Sequence, residues 1–325
     1  MNKTRSRILQ SLASGVNRFN DLSISSALLK NTLTVLNYHR IDNPQTSGFN
    51  TLKANVSATP FEFERQMQYL KKTFNIINCQ QLVDYITKDI PLPPRSAMVT
   101  FDDGYFDNYS QAYPILRELN IPAVIFLATD YIGTNQPFYW DYIAYCFSHT
   151  KLNHAHLSVV GERTWSNENE KNIVLHEWIE TLKKIQEKEK QIAINSIATA
   201  LSVSVPEDAF KGLHLNWQQV REMHKNGIEF GAHTASHPIL TRIPLHQAQD
   251  EIISSKLKIE KEINAPVISF AYPNGGVADF SPNIMQMISQ AGISIAFSLL
   301  PGPTFYKTVK KEPFSIRREI GRAHV

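Results

Sequence analysis

Two adjacent carboxylates and a spaced pair of histidines are the residues of this chain best suited to chemistry. Asp102 and Asp103 directly follow the apolar run of residues 97–101, and His233 and His237 lie four positions apart in the stretch GAHTASHP. Two imidazoles and one carboxylate are a recurrent ligand set for Zn²⁺ and similar divalent ions. A second carboxylate that does not bind the metal can take a proton from water whose pKa the ion lowers. The pattern therefore predicts a hydrolytic metal centre in which the two aspartates have different tasks.

Each half of this pattern is weak by itself. An Asp-Asp-Gly sequence is typical of an ordinary turn after a strand, and two histidines at this spacing often occur by chance. Their combination carries more weight because Asp102, His233 and Asn274 each follow a predicted strand. The carboxyl ends of the strands of a parallel α/β barrel meet on one rim, so these groups are expected to share a site.

The frame that positions these residues is predicted from short apolar runs that alternate with amphipathic segments. Repeated succession of strand and helix patterns indicates a parallel α/β architecture. The chain lacks the G-x-G-x-x-G and G-x-x-x-x-G-K-[ST] motifs, so a barrel is favoured over a nucleotide-binding doubly wound sheet. The predicted strands cover residues 33–41, 75–78, 97–101, 122–129, 228–233, 268–275 and 294–300.

One long region interrupts this alternation. Residues 131–212 contain an aromatic segment followed by a charged stretch that predicts one long helix near residues 177–197. We interpret them as an inserted, mostly helical lobe in a catalytic domain that spans residues 33–319. Residues 1–32 are predicted to form an N-terminal extension. The last six residues, 320–325, read like a translated sequencing adapter, and we interpret them as an artefact.

Composition and charge exclude other classes of protein. The 33 basic and 30 acidic residues give a formal charge of +3 with no long basic run, so a nucleic-acid partner is not expected. No segment approaches the roughly 18 to 20 apolar residues of a membrane span. The first residues also lack the apolar core of a signal peptide. We therefore expect no transmembrane segment and, by default, a cytoplasmic location.

The two motifs resemble those of a known family. TFDDGY and HTASH are similar to the first and second motifs of the NodB-type polysaccharide deacetylases, carbohydrate esterase family 4, whose patterns are T-F-D-D-G and H-[ST]-x-x-H. The stretches VLNYHRI, FERQMQYLKK and FAYPNGG resemble the branch that acts on exported or surface polysaccharides. The resemblance covers residues 33–318 and implies a deformed (β/α)₇ barrel.

The resemblance also implies roles for single residues. Asp103, His233 and His237 correspond to the metal ligands of the family, and Asp102 corresponds to its general base. The expected ion is Zn²⁺, with Co²⁺ or Ni²⁺ as alternatives. A backbone N–H of the third motif, here nearest Asn274, is expected to help hold the oxyanion.

The chain departs from the commonest family pattern at two points. Many relatives have R-P-P-Y-G where this chain has A-Y-P-N-G at residues 271–275, so the arginine that pairs with the base aspartate is absent there. Arg317 or Arg318 is expected to supply the guanidinium, and Arg318 is our candidate. No Leu-x-His motif occurs near the C-terminus. In branches of the family with a permuted motif order a histidine on the first strand is the general acid, and this resemblance makes His39, at the end of the first strand, the candidate.

The expected activity is hydrolysis of N-acetyl or O-acetyl groups on an amino-sugar polysaccharide or oligosaccharide. Tyr272, Asn274 and Trp140 are the candidate substrate-binding residues. One alternative is an amidohydrolase of the same superfamily that acts on small cyclic amides. Another is a catalytically inactive, glycan-binding relative. Asp102 argues against the second alternative, because a pure binder has no need of a free carboxylate.

Overall fold

The computed structural model describes residues 29–321. Most of the predicted N-terminal extension and residues 322–325 of the predicted adapter artefact lie outside this range. The described chain forms two compact units. The first comprises residues 29–43, 56–133 and 214–321, and the second comprises residues 44–55 and 134–213.

Most strands of the first unit are parallel and form one curled sheet. In that sheet the order is β11, β10, β9, β6, β5, β1, β12, with β13 also paired to β1 and β4 to β5. The bounds are β1 Thr32–Tyr38, β2 Arg40–Ile41, β3 Val56–Ala58, β4 Asn75–Ile76, β5 Ser96–Phe101, β6 Val124–Leu127, β7 His154–Leu157, β8 Gly161–Thr164, β9 Glu229–Ala232, β10 Ser269–Ala271, β11 Ile295–Phe297, β12 Thr304–Phe305 and β13 Glu319–Ile320.

The last described segment brings the two ends of the curled sheet together. Ile316 forms a parallel bridge with Phe297 at the end of β11, and β13 pairs in parallel with β1 through Leu36 and Glu319. Strands β1, β5, β6, β9, β10 and β11 and this closing segment together make seven parallel segments of the barrel wall. The predicted deformed (β/α)₇ barrel is therefore confirmed. Ile320, which we assigned to the adapter artefact, pairs with Asn37 of β1.

Helices connect the strands. Two short 3₁₀ turns, Lys53–Asn55 and Leu240–Arg242, and a π-helical turn, Asn108–Ala112, add to them. No helix among residues 29–321 is long and apolar enough to cross a bilayer. The α-helices are α1 Pro60–Thr73, α2 Cys79–Lys88, α3 Tyr113–Leu119, α4 Tyr139–His149, α5 Glu168–Leu182, α6 Glu187–Ala200, α7 Trp217–Lys225, α8 Leu245–Ile263, α9 Pro282–Gln290 and α10 Tyr306–Lys311.

Local sequence explains where several helices begin. Of the two N-cap candidates for α1, Thr59 is the cap, and it forms a reciprocal capping box with Glu62. The start of α3 is less regular, because the wide turn before it has a Tyr113 N–H to Asn108 O bond and is followed by Pro114. Proline has no N–H to donate to the preceding turn, which accounts for the π-helical entry.

The second unit differs from the sequence expectation in two details. The single helix predicted near residues 177–197 is two helices, α5 and α6, separated at residues 183–186. Strands β7 and β8 form an antiparallel hairpin that the sequence reading missed. The sequence did contain a signal for β7, because polar and apolar residues alternate in His154–Leu157. In the structure the two histidines are exposed and Ala155 and Leu157 are buried, which is the period-2 alternation of a strand.

The core of the first unit lies on both faces of the curled sheet. Along β5, Ala97, Val99 and Phe101 pack in one apolar cluster with α1, α3, α7, α8 and α9. Met98 packs on the other face, in a second cluster. Residues two apart on a strand share a face, so Thr100 follows Met98 on that second face, just before the predicted site begins.

Candidate active site

The strand ends place the predicted residues on one rim of the barrel. Asp102 and Asp103 follow β5, His233 follows β9, and Asn274 comes three residues after β10. His39 directly follows β1, which is the neighbour of β5 in the sheet. Carboxyl ends of parallel strands are where barrels carry their functional groups.

Asp103, His233 and His237 form a compact group. Oδ1 of Asp103 lies 3.5 Å from Nε2 of His233 and 3.4 Å from Nε2 of His237, and the donor atoms of the group all lie within 4.8 Å of one another. Asp103 is 1% exposed, yet neither of its carboxylate oxygens accepts a hydrogen bond. A buried carboxylate without donors is costly unless a cation compensates it. The three side chains therefore fit a divalent metal ion.

The orientation of His233 suits the same purpose. Its Nδ1 lies 2.7 Å from the carbonyl oxygen of Ala271, and because a carbonyl only accepts, Nδ1 carries the proton and donates. Nε2 of the neutral ring is then a lone-pair donor that faces Asp103, which is the usual arrangement of a metal-binding histidine. Without an ion, burial lowers the pKa of His233, but the charges of Asp102 and Asp103 outweigh burial and raise it.

The backbone of this half of the site is unusual. Asp103, Thr234 and His237 have φ values of 77°, 67° and 63°, in the left-handed region that non-glycine residues seldom adopt. Residues in such conformations concentrate at functional sites, where the surrounding structure holds them. Here the Thr234 hydroxyl accepts the N–H of His237 at 3.0 Å, which fixes the turn between the two histidines.

Asp102 has the opposite environment. Nη1 of Arg318 donates to its Oδ1 at 2.7 Å and Nη2 donates to its Oδ2 at 2.9 Å, while Nδ2 of Asn37 donates to Oδ2 at 3.1 Å. Burial by itself raises the pKa of Asp102, but the Arg318 guanidinium, followed by the charges of His233 and His39, offsets burial and holds the pKa well below its usual range. Asp102 is therefore an ionised carboxylate with firmly held geometry.

Of the two arginines left open by the sequence, Arg318 lies against Asp102. Its side chain is buried, and besides Asp102 it donates to the carbonyl of Ser298 and to Oδ1 of Asn37. Its guanidinium carbon also lies 5.6 Å from the centre of the Phe126 ring. Arg317 is exposed, and its Nη1 donates to the carbonyl of Pro301.

His39 acts electrostatically on both aspartates. Burial raises the pKa of each aspartate, and it is offset at Asp102 first by Arg318, at Asp103 first by His233, and at both by a smaller effect of the charge of His39. Its side chain is half-buried. Its backbone is held on both sides, since the N–H donates to the hydroxyl of Ser57 at 3.0 Å and the carbonyl accepts Nδ2 of Asn108 at 2.8 Å. Asn108 belongs to the same stretch as the two aspartates, so that stretch also anchors His39.

The three predicted substrate-binding residues differ in placement. Asn274 is half-buried with φ 62°. Tyr272 is fully buried, its hydroxyl donates to the carbonyl of Phe314 at 2.8 Å, and its ring stacks on Phe280. The Tyr272 side chain is therefore part of the core, and a role of this residue in substrate binding stays a prediction. Trp140 belongs to the second unit, where it is 7% exposed and stacks on Phe138.

Sequence reasoning missed three residues that support the site. Asn37 links Asp102 to Arg318, and the hydroxyl of Thr100 donates to Oδ1 of Asn37 at 2.9 Å. Glu251 of α8 binds the loop between the two histidines. A polar residue inside an apolar strand was the available signal for Asn37 and Thr100. Glu251 has no such signal, because acidic residues are frequent on helices.

Comparisons with known proteins agree with the geometry. A family profile described as polysaccharide deacetylase matches residues 89–296. The chain is 34% identical over 114 residues to a poly-beta-1,6-N-acetyl-D-glucosamine N-deacetylase of Staphylococcus epidermidis, a match that covers 32% of this chain and 39% of that protein. The matched region thus spans well under half the length of this curated relative.

Solved structures share the fold. The Streptococcus pyogenes deacetylase PplD, in complex with acetate, gives a TM-score of 0.57 at 18% identity over 88% of this chain and 91% of that one. IcaB from Ammonifex degensii gives 0.52 at 18% identity over 91% and 92% of the two chains. At these identities the likeness establishes the architecture alone.

Proposed function

Because the chain belongs to the polysaccharide deacetylase family, we propose that it is a metal-dependent hydrolase that removes N-acetyl groups from a polymer or oligomer of N-acetylglucosamine. The observation that carries this proposal is the contrast between two adjacent buried carboxylates. Asp102 is bound by Arg318 and Asn37, whereas both oxygens of Asp103 lack donors and face two histidines. In this proposal the catalytic domain spans residues 33–319, with residues 131–212 inserted.

The carboxylate of Asp103 and the two imidazoles that it faces would supply the metal site. A divalent ion held by Asp103, His233 and His237 would polarise an acetyl carbonyl and lower the pKa of water toward neutrality. Zn²⁺ suits two imidazoles and one carboxylate, and Co²⁺ or Ni²⁺ suits the same donors.

Asp102 is the general base of the proposed reaction. A carboxylate oxygen has two acceptor positions, and Oδ1 of Asp102 accepts one hydrogen bond, from Arg318, among the described contacts. Its second position takes the proton of the attacking water as the water oxygen bonds to the acetyl carbon. Arg318 keeps the carboxylate ionised and oriented, so it acts by positioning the base.

His39 is the general acid. When the bond between the acetyl carbon and the sugar nitrogen breaks, His39 gives a proton to the leaving nitrogen, and the products are acetate and a free amine. His39 directly follows β1, the neighbour of β5 in the sheet, and its charge is one of the smaller influences that lower the pKa of both aspartates. Asn274 follows β10 with a left-handed φ of 62°, and a backbone N–H of this segment would stabilise the oxyanion.

A β-1,6-linked N-acetylglucosamine chain is the first substrate to test, because the Staphylococcus epidermidis relative is named for that polymer. Purified protein would be stripped of metal, reloaded with Zn²⁺ or Co²⁺, and incubated with β-1,6-linked and β-1,4-linked N-acetylglucosamine oligomers and with small cyclic amides. Acetate and free amine would be measured. We expect metal-dependent release of equal amounts of acetate and amine from an oligosaccharide.

Two variants define the roles. Asp102→Asn is expected to lower the rate by about 10²- to 10⁴-fold, the range typical of general acid-base catalysis, while metal stays bound. Asp250→Asn, at an exposed position on α8, is the control and should keep the wild-type rate. Inactivity of the metal-loaded wild type on every oligosaccharide would contradict the proposal. Release of ring-opened product from cyclic amides alone would replace it with the amidohydrolase alternative.

A further inference from the structure

Glu251 lies beneath the loop that joins the two histidines. It is on α8, is 8% exposed, and accepts hydrogen bonds through both carboxylate oxygens. Its Oε2 accepts the backbone N–H groups of Ala235 and Ser236, each at 2.8 Å, and its Oε1 accepts the Ser236 hydroxyl at 2.6 Å. One side chain therefore binds consecutive residues of the segment between His233 and His237.

This segment needs such an anchor because its backbone is strained. Left-handed φ values at Thr234 and His237 flank the two residues that Glu251 binds, and sparsely populated conformations persist only when the surrounding structure over-determines them. The backbone carbonyl groups of the loop are held separately. The Thr129 N–H donates to the backbone carbonyl of Thr234, and the Asp130 N–H donates to that of Ala235. Glu251 holds the amide side.

The contacts of Glu251 differ from those of another glutamate on the same helix. Glu260 also accepts a backbone N–H, from Val267 at 2.9 Å, but its Oε1 lies at 2.6 Å from the ammonium of Lys256. Within residues 29–321, the side chain of Glu251 accepts two backbone amides and one hydroxyl, all three from this loop. Hydrogen bonds to a charged acceptor are about twice as strong as neutral ones, so a buried carboxylate here restrains the loop more than an amide side chain would.

We propose that Glu251 is a positioning residue that fixes the His237 imidazole in the metal set and thereby determines how tightly the site binds its ion. The inference rests on the proposed metal site and adds to it a residue outside both motifs. Groups that orient metal ligands typically contribute 10- to 100-fold in metal affinity. A purely structural Glu251 would instead affect stability and leave the metal affinity unchanged.

The test compares Glu251→Ala, Glu251→Gln and the matched control Glu260→Ala with the wild type. For each purified chain the dissociation constant for Co²⁺ would be measured by competition with a chromophoric chelator, and the visible absorption spectrum of the Co²⁺ form would be recorded. Circular dichroism and thermal unfolding of the metal-free proteins would report on the fold. No step of this experiment depends on substrate or activity.

Glu251→Ala should weaken Co²⁺ binding by about 10- to 100-fold and alter the spectrum, because His237 is no longer held. Glu251→Gln should fall between it and the wild type, since its carbonyl oxygen accepts the two amides and its NH₂ donates to the Ser236 hydroxyl, but without charge. Glu260→Ala should unfold more easily than the wild type and keep the wild-type dissociation constant and spectrum.

Three outcomes decide the matter. Wild-type Co²⁺ affinity and spectrum in folded Glu251→Ala would overturn the inference and leave the proposed function standing. If Glu251→Ala does not fold, Glu251→Gln decides, and wild-type affinity and spectrum in that variant would overturn the inference. A wild-type chain that binds no Co²⁺ would overturn the metal site itself and the inference with it.

Discussion

Asp102 and Asp103 are neighbours in the chain and are each 1% exposed, but the two sides of the site that they face differ completely. On the side of Asp102, here the arginine side, Arg318 and Asn37 donate three hydrogen bonds to the carboxylate. On the side of Asp103, here the histidine side, the carboxylate oxygens have no donors and face two imidazoles. The turn between them is sharp, with φ 77° at Asp103.

The difference shows how one short stretch can give two carboxylates different tasks. A buried carboxylate stays ionised only when a cation or several donors compensate its charge. On the arginine side the compensating cation is Arg318, a residue of the chain itself. The histidine side consists of groups that would share a cation supplied from outside, which is why Asp103 fits a ligand and Asp102 fits a base.

The largest expected effect is on the arginine side. Replacing Arg318 by Met leaves the Asp102 charge buried without its partner, and breaking a buried pair in this way costs about 3–5 kcal/mol. The free energy of unfolding, measured by urea denaturation, should fall by that amount. The adjacent control Arg317→Met changes an exposed side chain and should stay within about 0.5 kcal/mol of the wild type. Equal losses in both variants would remove the distinction between the two arginines.

A smaller effect is expected on the histidine side when metal is removed. Because an ion that binds only the folded chain stabilises it by mass action, free Zn²⁺ at 100 times its Kd should add about 2.7 kcal/mol to the free energy of unfolding relative to the stripped protein. Thermal unfolding with and without chelator measures this. His237→Ala should abolish the difference. If Zn²⁺ does not change the melting temperature of the wild-type protein, the histidine side is not a metal site.

The smallest effect is expected for the residue that links Arg318 to Asp102. Asn37→Ala removes one donor to Asp102 and one acceptor for Arg318 but keeps the ion pair, so the free energy of unfolding should fall by roughly 1–2 kcal/mol. Asn75→Ala is the matched control, because Asn75 is exposed and makes one side-chain bond, to the carbonyl of Pro94. A loss for Asn37→Ala as large as that for Arg318→Met would mean that the network, rather than the charge, holds Asp102.

Sequence and structure agree best where the candidate site residues are close in the chain. The residues Asp102, Asp103, His233 and His237 were predicted because each pair forms a short motif after an apolar run, and strand alternation brings those runs to one rim. The barrel was predictable for the same reason, since its signal is a repeated local pattern.

The arginine side was harder to predict because its contacts are distant in sequence. Arg318 and Asp102 are 216 residues apart, and Asn37 and Asp102 are 65 apart. Successive residues of an extended segment face opposite ways, and a pair of identical arginines gives no sign of which one faces inward. Which of the two arginines faces Asp102 is determined only by the register in which the closing segment pairs with β1 and β11.

The second unit shows a different limit on prediction from sequence. Residues 183–186, Lys-Lys-Ile-Gln, separate α5 from α6, although they include neither glycine nor proline. No local helix breaker marks this position, so the sequence predicted one continuous helix. Tyr272 illustrates the same limit at the site, because its place in a motif suggested a role in binding whereas packing against Phe280 makes it a core residue.

The most direct test of the contrast between the two aspartates is their affinity for metal. The Kd for Zn²⁺ would be measured side by side for Asp102→Asn and Asp103→Asn, with the wild type as reference and circular dichroism to confirm folding. We expect Asp103→Asn to bind Zn²⁺ at least about 100-fold more weakly, beyond what most orienting residues contribute, and Asp102→Asn to keep the wild-type Kd. Equal losses of affinity in the two variants, or a larger loss in Asp102→Asn, would contradict the assignment of ligand and base.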